Sequence, residues 1–74
     1  MKTKLRVVAT QQMETPSWID EYAVSRITGI PVQSLRNWRF LRKGFPYFKI
    51  GKSVRYRLDE VIRFMEERKV DIEN

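Results

Sequence analysis

The sequence contains no cysteine and no histidine among its 74 residues. Without cysteine there is no disulfide framework, and without either residue type there is no Cys/His metal site and no Ser-His or Cys-His catalytic pair. Long apolar runs are also lacking, since the short run 7–9 falls below a signal-peptide core or a membrane span. These absences predict a cytoplasmic domain that is not an enzyme, with no metal, cofactor, membrane or small-molecule substrate.

Acidic residues are missing from one long segment. Residues 31–57 carry eight Lys and Arg and no Asp or Glu, whereas residues 1–30 and 58–74 carry net charges of +1 and −3, for a total of +6. A charge that only serves solubility would be interspersed along the chain. The central block therefore indicates a surface that binds phosphates.

The N-terminal part of the chain suggests an arm followed by two helices. Residues 1–17 show no sustained period and are predicted to form a flexible arm, which leaves 18–74 as the folded domain. Asp20 is expected to cap a first helix that runs to about Thr28 and ends at Gly29. A second helix is predicted from about Val32 to Arg42.

The C-terminal half predicts a hairpin and a last helix. Period-two alternation gives strands at 47–50 and 54–57 around a tip at 51–53. Phe48 and Ile50 are expected on the apolar inner face, which would leave Lys49 outside with two arginines of the second strand. Asp59 is expected to cap a last helix that continues to about Val70. The predicted core comprises Val24, Ile27, Ile30, Leu35, Trp38, the inner hairpin face, Val61, Ile62 and Met65.

The order helix, turn, helix, hairpin, helix predicts a small α+β winged helix-turn-helix domain with a two-stranded hairpin wing and a C-terminal helix. The second helix is the candidate reader of base edges in a major groove, because Arg, Asn and Gln can bond bases bidentately. Its candidate DNA-binding residues are Gln33, Ser34, Arg36, Asn37, Arg39, Arg42 and Lys43. The candidate wing residues are Lys49, Lys52, Ser53, Arg55 and Arg57. Trp38 is expected in the core, and the exposure of Phe40 is left open.

Two stretches, 34–39 and 44–61, carry a specific resemblance. They contain a leucine, an Arg-rich stretch around a Trp, a Pro corner, a Lys-Ile-Gly turn, a Val-Arg-Tyr strand and an acidic start to the last helix. In this pattern, over roughly 19–70, the chain resembles the small MerR-like winged-helix proteins of the excisionase family, which includes AlpA-type prophage regulators. Pro31 departs from the Ser or Thr that members often have near the start of the second helix.

The resemblance implies a bacterial or phage-encoded, nucleoid-associated protein that binds specific double-stranded DNA sites at the ends of a mobile element. Excisionases bend DNA, contact a tyrosine integrase and often bind as several copies, which favours excision over integration. A small AlpA-like transcriptional regulator is the alternative within the same class. A basic adaptor that binds protein or RNA is a lower alternative. The sequence does not separate excision from transcriptional regulation.

Overall fold

The computed structural model describes residues 17–72, so the predicted arm lies almost wholly outside the described residues. The elements are β1 (Trp18–Ile19), α1 (Glu21–Thr28), α2 (Val32–Phe40), β2 (Phe48–Ile50), β3 (Ser53–Arg57) and α3 (Leu58–Glu66). The strands form one antiparallel sheet in the order β1-β3-β2. This arrangement confirms the predicted α+β winged helix-turn-helix class. The short strand β1 was not predicted.

Helix α1 begins and ends where its local chemistry predicts. Asp20 has extended backbone geometry, and its side chain accepts a hydrogen bond of 2.9 Å from the backbone N–H of Ala23. Ile19 and Val24 occupy the two positions of a hydrophobic staple around this cap; Val24 is buried in the core, and the partly buried Ile19 packs against the core. Gly29, with a φ of +78°, ends the helix in the left-handed conformation.

Helix α2 ends at Phe40, two residues before the predicted end at Arg42. The backbone N–H of Lys43 donates to the carbonyl of Trp38 at 2.9 Å, and that of Arg42 donates to the carbonyl of Arg39 at 3.1 Å. This is a Schellman motif, in which the left-handed position usually holds Gly. Here Arg42 occupies it with a φ of +58°. Gly44 is the second left-handed residue of this corner, with a φ of +89°.

The register of the hairpin contradicts the predicted faces of its first strand. Phe48 pairs with Arg55 and Lys49 pairs with Val54. Directly opposed residues share a face of a sheet. Phe48 and Ile50 therefore lie on the outer face beside Arg55, and Ile50 is 67% exposed. Lys49 lies on the face that Val54 shares with the buried Tyr56, although Lys49 itself is exposed because β2 is an edge strand.

Helix α3 is shorter than predicted. It begins at Leu58 with Arg57 at the N-cap, so the predicted cap at Asp59 was wrong, and Asp59 lies in the first turn, where its carboxylate pairs with Arg57. It ends at Glu66, so the basic residues Arg68 and Lys69 lie after the helix rather than in its last turn. Arg68 still stabilises the C-terminal end of the helix, because its guanidinium donates to the carbonyl of Phe64 at 3.1 Å and lies over the Phe64 ring.

The core contains an aromatic residue that the periodicity did not reveal. Its buried members are Val24, Leu35, Phe45, Tyr56 and Val61. Phe45 lies in the loop after α2, with its ring centroid 4.6 Å from that of Phe64 and 6.1 Å from that of Trp38. The predicted core position of Trp38, packed against this cluster, is confirmed. The predictions for Ile27, Ile62 and Met65 were wrong, since all three are exposed.

Candidate nucleic-acid interface

One face of α2 is open to solvent and carries side chains that can bond bases. Gln33, Arg36, Asn37 and Phe40 are all exposed and follow helical spacing, while Leu35 on the opposite side is buried. Ser34 lies at the border and is partly buried. The first two turns of α2 thus present Gln33, Arg36 and Asn37 together, as a recognition helix requires.

Glu21, the first residue of α1, binds two arginines of α2. The Nη2 of Arg36 lies 2.6 Å from Oε2 of Glu21, and the Nη2 of Arg39 lies 3.1 Å from Oε1. Arg39 also donates through Nη1 to the hydroxyl of Tyr56 at 2.6 Å. The hydrogen bond from Arg36 is the main cause that holds the pKa of Glu21 below its ordinary value. Burial raises the pKa of Tyr56, so its hydroxyl stays protonated at neutral pH.

These contacts divide the predicted arginines of α2 by their surroundings. The side chain of Arg39 is 18% exposed and links α1, α2 and β3, whereas that of Arg36 is 46% exposed and reaches the open face. Arg42 and Lys43 lie exposed at the corner after α2, where they line a shallow cleft with Gly44, Phe45, Pro46 and Tyr47. Arg36 on α2 therefore reaches solvent, whereas Arg39 is bound between the elements of the domain.

The predicted wing residues also differ in their exposure and in their bonds to the rest of the domain. Lys52 is at the exposed tip, and Ser53 begins β3 opposite Ile50, so the turn is the two-residue segment 51–52 rather than the predicted three. Arg57 forms an ion pair with Asp59 at 2.8 Å. The guanidinium of Arg55 donates to the carbonyl of Val54 at 2.8 Å. The tip and Arg55 together border a cleft of about 280 Å³ whose other wall is the start of α1.

Ion pairing reduces the number of cations available to a phosphate backbone. Of the eight Lys and Arg in residues 31–57, three form salt bridges within the described part of the chain, namely Arg36, Arg39 and Arg57. The remaining five have no salt bridge to any residue from 17 to 72: Arg42, Lys43, Lys49, Lys52 and Arg55. Residues 31–57 thus present five positive charges without a salt bridge to residues 17–72. Two lie at the corner after α2, one lies at the tip of the hairpin and two lie on its strands.

Two features of the surface were not found by sequence reasoning. Phe40 is 83% exposed on the same face as Asn37, and apolar contact with a thymine methyl is a known use of such a side chain. On the outer sheet face, Trp18 and Phe48 pack edge to face across β3 with ring centroids 4.8 Å apart. The Arg57 guanidinium lies over the Trp18 ring. The position of Phe40 on the open face was predictable, because Phe40 lies three positions after Asn37 on the same helix. The contact of Trp18 was not, because it depends on the unpredicted strand β1.

Within residues 17–72, no helix is long and apolar enough to cross a membrane. In the same residues no group of three or more acidic side chains is placed so that it could share a metal ion.

One of three comparisons with known proteins agrees with this architecture. No curated protein and no solved structure gives a significant match to the chain. A family model described as "Helix-turn-helix domain" matches residues 23–69, which is 47 of the 74 residues and includes α2, the hairpin and α3. The family is a small DNA-binding one that includes excisionase-like proteins. The chain belongs to this helix-turn-helix domain family.

Proposed function

We propose that this chain is a sequence-specific double-stranded DNA-binding protein that acts as an excisionase, or recombination directionality factor. It binds and bends DNA at the ends of a prophage or mobile element and thereby promotes excision by the element's integrase. The observation that carries the DNA-binding part is the coincidence of the acid-free segment with α2 and the wing. The excision part is supported by the sequence resemblance and by the excisionase-like members of the family.

Base reading is assigned to the exposed start of α2. Gln33 and Asn37 carry amides that can bond adenine bidentately, and Arg36 can bond guanine. Ser34 lies beside them, and Phe40 extends the same face with an apolar side chain suited to a thymine methyl. The role of Arg39 is to hold α2 against α1 and β3 through Glu21 and Tyr56.

Phosphate contacts are assigned to the five cations without salt bridges. Arg42 and Lys43 follow the recognition helix, where the backbone of the groove that α2 enters would pass. Lys52 at the tip and Ser53 next to it, at the start of β3, reach an adjacent groove or backbone. Lys49 and Arg55 lie on the two strands of the hairpin. Arg57 can also contact a phosphate when it exchanges its ion pair with Asp59 for that phosphate.

Duplex binding is tested by fluorescence anisotropy with the DNA that flanks the gene and with a scrambled duplex of equal length. Asn37→Ala should weaken binding to the specific duplex by about 1–3 kcal/mol and leave the scrambled duplex almost unchanged. Met65→Ala shortens an exposed neutral side chain on α3 and is the matched control. Equal affinity of the wild-type chain for both duplexes would refute sequence-specific binding.

The recombination role needs its own experiment. A plasmid that carries the attachment sites is incubated with integrase in the presence and absence of the protein, and excised product is measured. The proposal predicts more excision with the protein, and less of that gain with Asn37→Ala. Unchanged excision together with altered transcription from a neighbouring promoter would assign the chain to the regulators instead.

A further inference from the structure

Glu21 holds Arg36 through one edge of its guanidinium. The Nε of Arg36 donates to Oε2 of Glu21 at 3.1 Å, and its Nη2 donates to the same oxygen at 2.6 Å. The Glu21 side chain is only 13% exposed, and its Oε1 accepts from Nη2 of Arg39. The carboxylate is therefore fixed from two sides, and it fixes the plane of the Arg36 guanidinium in turn.

The second hydrogen of Arg36 Nη2 has a different partner. Nη2 also donates to the hydroxyl of Tyr22 at 3.1 Å, and the Tyr22 side chain is mostly exposed. Nη1 makes no hydrogen bond to any of residues 17–72. A guanidinium has five N–H donors in a rigid fork, so occupation of the Nε–Nη2 edge by Glu21 leaves the Nη1–Nη2 edge for another acceptor pair.

That remaining edge has the geometry that guanine requires. Bidentate recognition of guanine O6 and N7 uses two parallel N–H donors of one arginine edge. In the unbound protein only the single bond to Tyr22 competes for this edge, whereas Glu21 holds the adjacent Nε–Nη2 edge with three donor-acceptor contacts. Arg36 can therefore exchange its hydrogen bond to Tyr22 for hydrogen bonds to a base while its bonds to Glu21 stay in place.

We propose that Glu21 is a specificity-determining positioning residue, which holds Arg36 so that its Nη1–Nη2 edge reads a guanine, with Tyr22 as the acceptor that this guanine displaces. The inference rests on the proposed duplex binding and names the base that one residue reads. Contacts with the phosphates of arbitrary DNA carry no sequence information, so the orientation of this fork matters for base reading and not for non-specific binding. Glu21 also neutralises charge on Arg36 and Arg39, which lowers their attraction for non-specific DNA.

Loss of the Glu21 charge should therefore affect the two kinds of DNA in opposite directions. Glu21→Gln should weaken binding to a specific duplex and strengthen binding to a scrambled duplex, so that the affinity ratio falls at least about fivefold, within the range for one bidentate base contact. The slope of log K against log salt on scrambled DNA should steepen by roughly 0.9 for each arginine released. Glu66→Gln removes the same charge from the exposed surface of α3 and should leave the ratio unchanged.

A double-mutant cycle separates positioning from a structural role. In an Arg36→Ala background, Glu21→Gln should no longer weaken binding to the specific duplex, because the residue that it positions is gone. An equal fall of the ratio with and without Arg36 would overturn the inference. Replacement of each G·C pair in the specific duplex should identify one pair whose loss matters to the wild-type chain and not to Arg36→Ala.

Tyr22→Phe tests the other edge of Arg36 without touching the core. This change removes the competing hydroxyl, so binding to the specific duplex should strengthen by a few-fold, while binding to scrambled DNA should stay unchanged. A Tyr22→Phe chain with weaker specific binding would contradict the displacement step. If the wild-type chain binds no duplex at all, the proposed function and this inference both fail, whereas specific wild-type binding with an unaltered ratio in Glu21→Gln overturns the inference alone.

Discussion

Gly44 sets the corner between the recognition helix and the wing, and its replacement should be costly for two separable reasons. Its φ of +89° is left-handed, and a Cβ at this position would lie 2.6 Å from Cε3 and 3.0 Å from Cβ of Trp38. The backbone conformation costs a non-glycine residue about 1–2 kcal/mol. Overpacking against a core residue adds about 1–3 kcal/mol. Gly44→Ala should therefore lower the free energy of unfolding by about 2–5 kcal/mol.

Gly29 provides a matched control within the same chain. It is also left-handed, with a φ of +78°, but an added Cβ would meet no atom within 4 Å. Gly29→Ala should therefore show only the backbone term, about 1–2 kcal/mol. The difference between the two variants measures the contact with Trp38.

Urea unfolding followed by far-UV circular dichroism gives both numbers, because a domain of this size has a stability of about 4–11 kcal/mol. The two variants should keep the wild-type m-value while their midpoints separate. Losses that agree within about 0.5 kcal/mol would refute the reasoning, since the Trp38 contact would then have no measurable effect on stability.

Four further predictions concern charge and exposure. The five cations without salt bridges predict a slope of log K against log salt near −4.5, which Lys52→Ala should reduce by about 0.9 and Lys69→Ala should not change in anisotropy titrations. Because the pKa of Glu21 is lowered in the folded chain, its bonds stabilise the fold at neutral pH, so the advantage of wild type over Glu21→Gln in urea should shrink as the pH falls below about 4. Arg42→Gly relieves a left-handed arginine and should leave stability unchanged or raise it by up to about 1 kcal/mol, while it weakens duplex binding. Phe40→Ala should change stability by less than about 0.5 kcal/mol and still reduce specific affinity, and an unchanged affinity would contradict a role in base reading.

The helix-turn-helix unit was predictable because its signals act over a few residues. Asp20 bonds Ala23 and Gly29 bonds Ser25, so both ends of α1 depend on chemistry within five residues. The end of α2 was predicted two residues too late, also for a local reason. An arginine rarely occupies the left-handed position of a Schellman motif, so the glycine signal at Gly44 indicated a later helix end than Arg42 actually sets.

The arrangement of charge on the candidate site was not predictable in the same way. Glu21 is separated from Arg36 by 15 positions and from Arg39 by 18, and their contact follows only from the packing of α1 on α2. The sequence placed eight cations on one segment, but tertiary ion pairs decide which of them are available to DNA. Phe45 was missed because it lies in a loop, where periodicity gives no information about burial.

The hairpin shows how one residue in a turn changes a whole face. Period-two alternation fixes which residues of one strand lie together, but the phase between two strands depends on the length of the turn. A three-residue tip at 51–53 would pair Ile50 with Val54 and direct both inward. The observed two-residue turn, with Gly51 left-handed at its first position as in type II′ hairpins, pairs Ile50 with Ser53 instead. Ile50 and Phe48 therefore turn outward beside Arg55, and an outer face expected to be wholly basic becomes a mixed apolar and basic one.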